Sequence, residues 1–242
     1  MRTPNLRCKG KKWIDWLGWP VQAECMHINV EPSILYFGTP VVLISTQNLD
    51  GSTNVAPMSS AWWLGWNCML GLGARSHTAQ NQLREEECVL NLPSVEMVGA
   101  VNRIARLTGS DPVPPHKVAM GYRHERDKLG AAGLSSVPSD LVSAHRVVEC
   151  PVQLEAVLES TRPFGNRPDK ASTAVAFEVR IVRTHIDEQI LMEGFGNRID
   201  PDKWRPLIMS FCEFYGLDRK VWRSTLAEIP EAAYRPVAQM TR

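Results

Sequence analysis

Val41-Val42-Leu43-Ile44-Ser45-Thr46, opened by Pro40, is a continuous run of aliphatic and β-branched residues. A run so short and so apolar predicts a strand buried on both faces, which commits the chain to a sheet with cover on each side. Asn48, Asp50 and Gly51 follow, and Asp-Gly after a strand is a hairpin signal. Thr53 to Pro57 then predicts the returning strand, and Cys68 to Gly73 another. Cys88 to Leu92 reads as a short strand closed by Pro93, while Val147 to Leu158 and Ala174 to Ile186 favour β-structure. Helices are expected at Thr78 to Glu87 with Thr78 as N-cap, and from Ser94 to Gly109. A third is expected from Asp200 through Trp204 and Phe211 towards Tyr215, stopped by Gly216. The polar stretch with Pro112, Pro114 and Pro115 predicts a loop that covers a site or a partner. Strands without regular βαβ alternation indicate a mainly β fold, a barrel with a few appended helices.

The 242 residues suit one domain, expected over 31–242 and preceded by an arm at 1–30. Of the 8 tryptophans, Trp13, Trp16 and Trp19 are expected to pack the arm, and Trp204 and Trp222 a C-terminal helical extension. Lys plus Arg number 27 against 26 Asp plus Glu, which weighs against a nucleic-acid or anionic-membrane partner. The basic N-terminus leads into no apolar signal segment, and no run of about 18 apolar residues appears, so a cytoplasmic protein is expected. The six cysteines are scattered, as suits reduced core thiols.

Motifs of nucleotide, metal and hydrolytic chemistry fail in turn. Gly71-Leu72-Gly73 and Gly194-Phe195-Gly196 each lack the third glycine of the dinucleotide fingerprint. GxxxxGK[ST], HExxH and GxSxG do not occur, and no two histidines stand at ligand spacing, so no metal site is expected.

Two segments remain. In Asn54-Val55-Ala56-Pro57-Met58-Ser59-Ser60-Ala61-Trp62-Trp63, hydroxyls and small residues follow a proline that takes the backbone out of a ladder. Such an edge can read a planar heterocycle, with an aromatic residue, Trp62, flanking its face. In Ala74-Arg75-Ser76-His77-Thr78, an arginine fork, two hydroxyls and a helix N-terminus coincide, and together they fit a phosphate. Taken singly, Ser76 and Thr78 read equally as ordinary caps, Arg75 as a solvated charge, and Asn54 and the serines as turn chemistry. Trp62 and Trp63 are adjacent on a strand, so only one of them faces a core.

The order of these pieces also resembles a known family. Thr39-Pro40-Val41-Val42-Leu43, Asp50-Gly51, Asn54 to Ser60, Ser76-His77-Thr78 with Asn81, and Val89-Leu90-Asn91-Leu92 are similar to the flavin reductase-like FMN-binding split-barrel family. Asp127-Lys128-Leu129, Ala132-Gly133-Leu134 and Glu149-Cys150-Pro151-Val152 resemble its continuation, so the likeness spans about residues 30 to 190. The resemblance implies a six-stranded split barrel, a homodimer, and non-covalent FMN at or near the dimer interface. Asn54, Val55, Ala56, Pro57, Ser59 and Ser60 would then lie beside the isoalloxazine, and Arg75, Ser76, His77, Thr78 and Asn81 would hold the phosphate. The implied activity is hydride transfer from NADH or NADPH to the flavin and on to a small-molecule acceptor. The alternative is a non-catalytic FMN protein that carries electrons or senses. Lys128 and His145 are candidates for a positive group near the ring, or for structural ion pairs.

Overall fold

The computed structural model describes residues 13–14, 20–21, 27–165 and 172–234. The chain divides into two compact units, 1–35 and 36–242. In the first, Trp13–Ile14 pairs antiparallel with Pro20–Val21. The expected packing of Trp13, Trp16 and Trp19 concerns side chains outside the described residues.

The second unit is built on one seven-stranded sheet. Its strands, with β1 (Phe37–Pro40) set apart, are β2 (Val42–Gln47), β3 (Thr53–Met58), β4 (Ala61–Leu64), β5 (Asn67–Gly73), β6 (Glu87–Leu92), β7 (Val152–Phe164) and β8 (Ala174–Ile186). Their spatial order is β3-β2-β6-β7-β8-β5-β4, all antiparallel. The two edge strands, β3 and β4, are consecutive in sequence and meet at the Ser59–Ser60 corner, so the sheet curls towards closure without a ladder between its edges: a split β-barrel. The count exceeds the expected six because the chain turns back after Ser60 and lays Ala61–Leu64 along Asn67–Leu70.

Residue chemistry explains the edges and turns. Pro57 lies on edge strand β3, where the missing N–H costs no ladder bond. Gly51, at φ +80°, makes the β2–β3 turn, which Asp50 braces by accepting the Ser52 N–H at 3.0 Å. Strand β2 is buried on both faces, as its run predicts: Val42 and Ile44 enter one core with Leu70, Leu90 and Phe177, and Leu43 enters another with Val101, Ile104 and Val147.

Helix α1 (His77–Glu85) begins one residue earlier than expected, and its cap is Ser76, whose Oγ accepts the Ala79 N–H at 3.2 Å. The expected cap, Thr78, lies inside the helix. The helix from Ser94 is shorter than its pattern: a 3₁₀ turn at Val95–Met97 leads into α2 (Val98–Ile104), and Leu107–Thr108 is already extended. Two short helices follow, α3 (Pro115–Ala119) in the proline-rich loop and α4 (Lys128–Ala132), which Asp127 caps by accepting the Gly130 N–H at 2.8 Å.

The helix expected from Asp200 to Tyr215 does not form. After a turn at 201–203 the chain makes a hairpin, β9 (Leu207–Ser210) and β10 (Glu213–Gly216), and β9 also pairs with β1. Pro206 has no N–H and biases its predecessor away from helix, and Phe211 and Cys212 take φ +47° and +65°, the geometry of a two-residue hairpin turn. Among the described residues beyond it only short 3₁₀ turns occur, and Trp222 is 86% exposed rather than packed. No described helix is long and apolar enough to cross a membrane.

Candidate functional site

A buried polar network fastens α1 to the β2–β3 hairpin. The Asn54 amide donates to Thr46 Oγ1 at 3.0 Å and to Thr78 Oγ1 at 3.2 Å. The Asn81 amide donates to the same Thr46 oxygen at 3.2 Å and to Asn48 Oδ1 at 2.9 Å. His77 Nε2 lies 2.8 Å from that Asn48 oxygen. Because the Asn48 amide nitrogen is already given to Ser52 Oγ, the Asn48 oxygen accepts and His77 Nε2 carries the proton. Burial lowers the His77 pKa below its ordinary value, and the cations Lys128, Arg84, His124 and Lys117 lower it further, so the ring is neutral at pH 7.

This arrangement sorts the sequence-derived residues. Thr78 and Asn81 are buried and spend their side chains on the hairpin; Val55 is wholly buried in the core. Ala56, Pro57 and Ser59 are half-buried and Ser60 is exposed at the corner, where its carbonyl accepts the Gly71 N–H at 2.8 Å. Trp62 is 58% exposed while Trp63 packs on the barrel core, the opposite facings expected of strand neighbours. Arg75 is exposed in the turn before α1. With Ser76 Oγ committed to Ala79, the N–H groups of His77 and Thr78 remain at the open end of the helix, as first-turn donors do. A Cβ built on Gly73 would meet nothing within 4 Å, so the backbone just ahead of Arg75 borders open space.

On the hairpin side of α1 lies a cleft of about 290 Å³. Asn54, His77 and Asn81 line it, joined by residues that the sequence did not mark as ligand contacts: Asn48, Asp50, Arg84, Gly109, His124 and Arg126. Asn48 and Asp50 are legible in the sequence as turn residues and the proline-rich stretch within 109–126 as a loop, and it is tertiary folding that brings Gly109, His124 and Arg126 to the cleft. Gly109 is the tightest point, since a Cβ there would stand 2.6 Å from His77 Cδ2 and 3.1 Å from Asn54 Oδ1. His77 is tethered to Asn48 and cannot swing aside freely. Gly109→Ala is therefore expected to cost about 1–3 kcal/mol by overpacking, read as a lowered thermal midpoint together with a shifted His77 ring resonance.

The flavin reductase like domain matches residues 34–214. A Bacillus subtilis protein, the uncharacterized protein YdfE, is 37% identical over 199 residues, covering 82% of this chain and 93% of its own. Among solved structures, flavoredoxin of Desulfovibrio vulgaris (Miyazaki F) superposes with a TM-score of 0.68 at 19% identity, covering 84% of this chain and all of its own. Nitrilotriacetate monooxygenase component B from Bacillus cereus does so with a TM-score of 0.64 at 20% identity, covering 82% of this chain and 99% of its own. At these identities the two structures establish the shared fold.

Proposed function

The chain belongs to the flavin reductase like domain family, and from that premise we propose that it binds FMN non-covalently and passes a hydride from NADH or NADPH, through the flavin, to a small-molecule acceptor. Bound flavin supplies what side chains lack, a ring that takes up a hydride and passes the electrons on. The observation that carries the reading is that β5 joins the two segments. Its Gly71 N–H donates to the Ser60 carbonyl at 2.8 Å, and past the open backbone at Gly73 the chain leads to exposed Arg75 and the start of α1.

Each part has a task. An edge strand such as β3 leaves alternate backbone N–H and C=O groups outside the ladder, and these can orient the ring. Trp62 offers an exposed aromatic face beside them. Arg75 and the first-turn N–H groups of α1 hold the phosphate, with the helix end adding a partial positive charge. The buried Asn54–Thr78–Asn81 network does not touch the phosphate in this reading; it keeps the helix end in place. The near-balanced formal net charge of +1 suits a protein that needs one local anion site. The working unit is a cytoplasmic homodimer with the flavin at or near the interface.

The test is cofactor identification followed by anaerobic reduction. Heat-denatured protein is expected to release FMN, and the intact yellow protein is expected to bleach on addition of NADH or NADPH. Bleaching by dithionite but by neither nucleotide would overturn the reductase reading in favour of an electron carrier or sensor. A colourless protein that refuses FMN would overturn the cofactor itself.

A further inference from the structure

The barrel is complete before residue 217. No residue beyond Phe214 enters the described apolar cores, and the family match stops at 214. Residues 217–234 nonetheless form an arm in which every residue is exposed. A segment that buries nothing of its own has no gain to set against the entropy of being ordered. Yet the arm is held in shape. Ser224 caps a 3₁₀ turn, its Oγ accepting the Leu226 N–H at 3.1 Å. Lys220 pairs with Asp202 at 2.6 Å and Glu231 with Arg198 at 3.0 Å, which ties both halves of the arm to the loop before β9.

These tethers use polar side chains and leave the apolar ones outward. Val221, Trp222, Leu226 and Tyr234 are 93%, 86%, 64% and 59% exposed. Arg198 extends the patch, because its guanidinium also lies over the exposed Phe195 ring, 5.8 Å from the centroid. These side chains bare roughly 800 Å² of apolar surface, more than a monomer leaves in one patch and about what one partner brings to a stable interface. Charge points to the partner. Residues 217–223 carry Arg219, Lys220 and Arg223 against Asp218, while the charged residues of 224–234 are Glu228 and Glu231. Arg219, Arg223 and Glu228 make no ion pair among the described residues. A surface basic in one half and acidic in the other complements itself when turned end for end, as a two-fold axis turns it.

We propose that this arm is an interface with a second copy of the chain. The two arms cross antiparallel about a two-fold axis, each burying its Trp222 against the other copy, with Arg219 and Arg223 facing the partner's Glu228. The contact goes beyond the flavin reading and stands whether or not flavin is bound.

Sedimentation velocity of the full chain over a range of concentrations tests it. The parent protein is expected to be a dimer. Trp222→Asp, a change at an exposed residue, is expected to raise the dimer dissociation constant roughly 10- to 100-fold, as loss of a buried aromatic anchor does. Arg219→Glu/Arg223→Glu and Glu228→Arg are each expected to raise it roughly tenfold, since a two-fold axis makes every lost pair count twice. An equimolar mixture of those two variants is expected to recover parental association, because each then meets the charge it needs, and the recovery shows that both are folded. A monomeric parent protein would overturn the proposal, and so would a dimer that Trp222→Asp leaves as tight. A lower thermal midpoint with unchanged association would assign the patch to cover by its own chain. A mixture that associates no better than either variant alone would overturn the antiparallel crossing. All these outcomes are independent of the bleaching that tests the flavin reading.

Discussion

Replacing Glu155 by leucine is expected to lower the unfolding free energy by about 3–5 kcal/mol, the range for removing one side of a buried, hydrogen-bonded charge pair. Glu155 is wholly buried on β7, near the middle of the sheet. Its carboxylate accepts the Asp140 N–H at 2.9 Å, the Leu141 N–H at 2.7 Å and a bond from His185 Nε2 at 2.6 Å. Leucine would strand all three donors, two of them backbone groups of the loop that packs over β7. Glu155→Gln keeps an acceptor but turns an amide N–H₂ towards donors, so it too is expected to destabilise, by less. Burial works to raise the Glu155 pKa; the bonds from Asp140, His185 and Leu141 outweigh it, so the net shift lies below the ordinary carboxyl value of 4.5. A carboxylate depressed in the folded state stabilises fully above its unfolded pKa and less as pH falls through the folded one. Urea unfolding at pH 7 and at acid pH should therefore show the stability gap between the parent protein and its Glu155→Leu variant shrinking below about pH 4. A gap that stays constant across that range would remove the carboxylate from the account.

Arg75→Ala is expected to weaken FMN binding roughly 10- to 100-fold and riboflavin binding hardly at all, because only FMN carries the phosphate that the guanidinium would meet. The single substitution is the informative one. Ser76 caps α1 through its Oγ, so Ser76→Ala would remove a cap as well as a hydroxyl and confuse stability with affinity. Arg75 is exposed and makes no such structural bond among the described residues, so its loss should leave the thermal midpoint of the flavin-free protein unchanged. Fluorescence titration of both flavins against both proteins checks the result. Equal losses for FMN and riboflavin would place Arg75 away from the phosphate.

Much of the barrel was legible along the chain. The apolar run from Val41 to Thr46, the Asp50-Gly51 turn, and the long alternating segments that became β7 and β8 are each stated by a handful of neighbouring residues. The flanking motifs were equally local: Asn54 to Ser60 and Arg75 to Thr78 each stand as one continuous segment. Misreadings arose where distant partners decide. Residues 207–216 alternate too briefly to exclude a helix, and they became strands because β1, far away in sequence, offers β9 a ladder. Nor does any local pattern show that Asn54 bonds to Thr78, or that Thr46 and Asn48 bond to Asn81.

The sequence by itself determined the strands, the tight turns and the two polar segments, since period and turn chemistry are written within a few residues. Only the tertiary structure decided which polar groups are spent inside the protein and which stay exposed. Burial and pairing join residues 48, 54, 77, 109 and 126 around one cleft, and they surround the Glu155 carboxylate with donors. Whether a polar side chain holds the fold or holds a ligand depends on what lies across from it in space, and that is set by packing between distant segments.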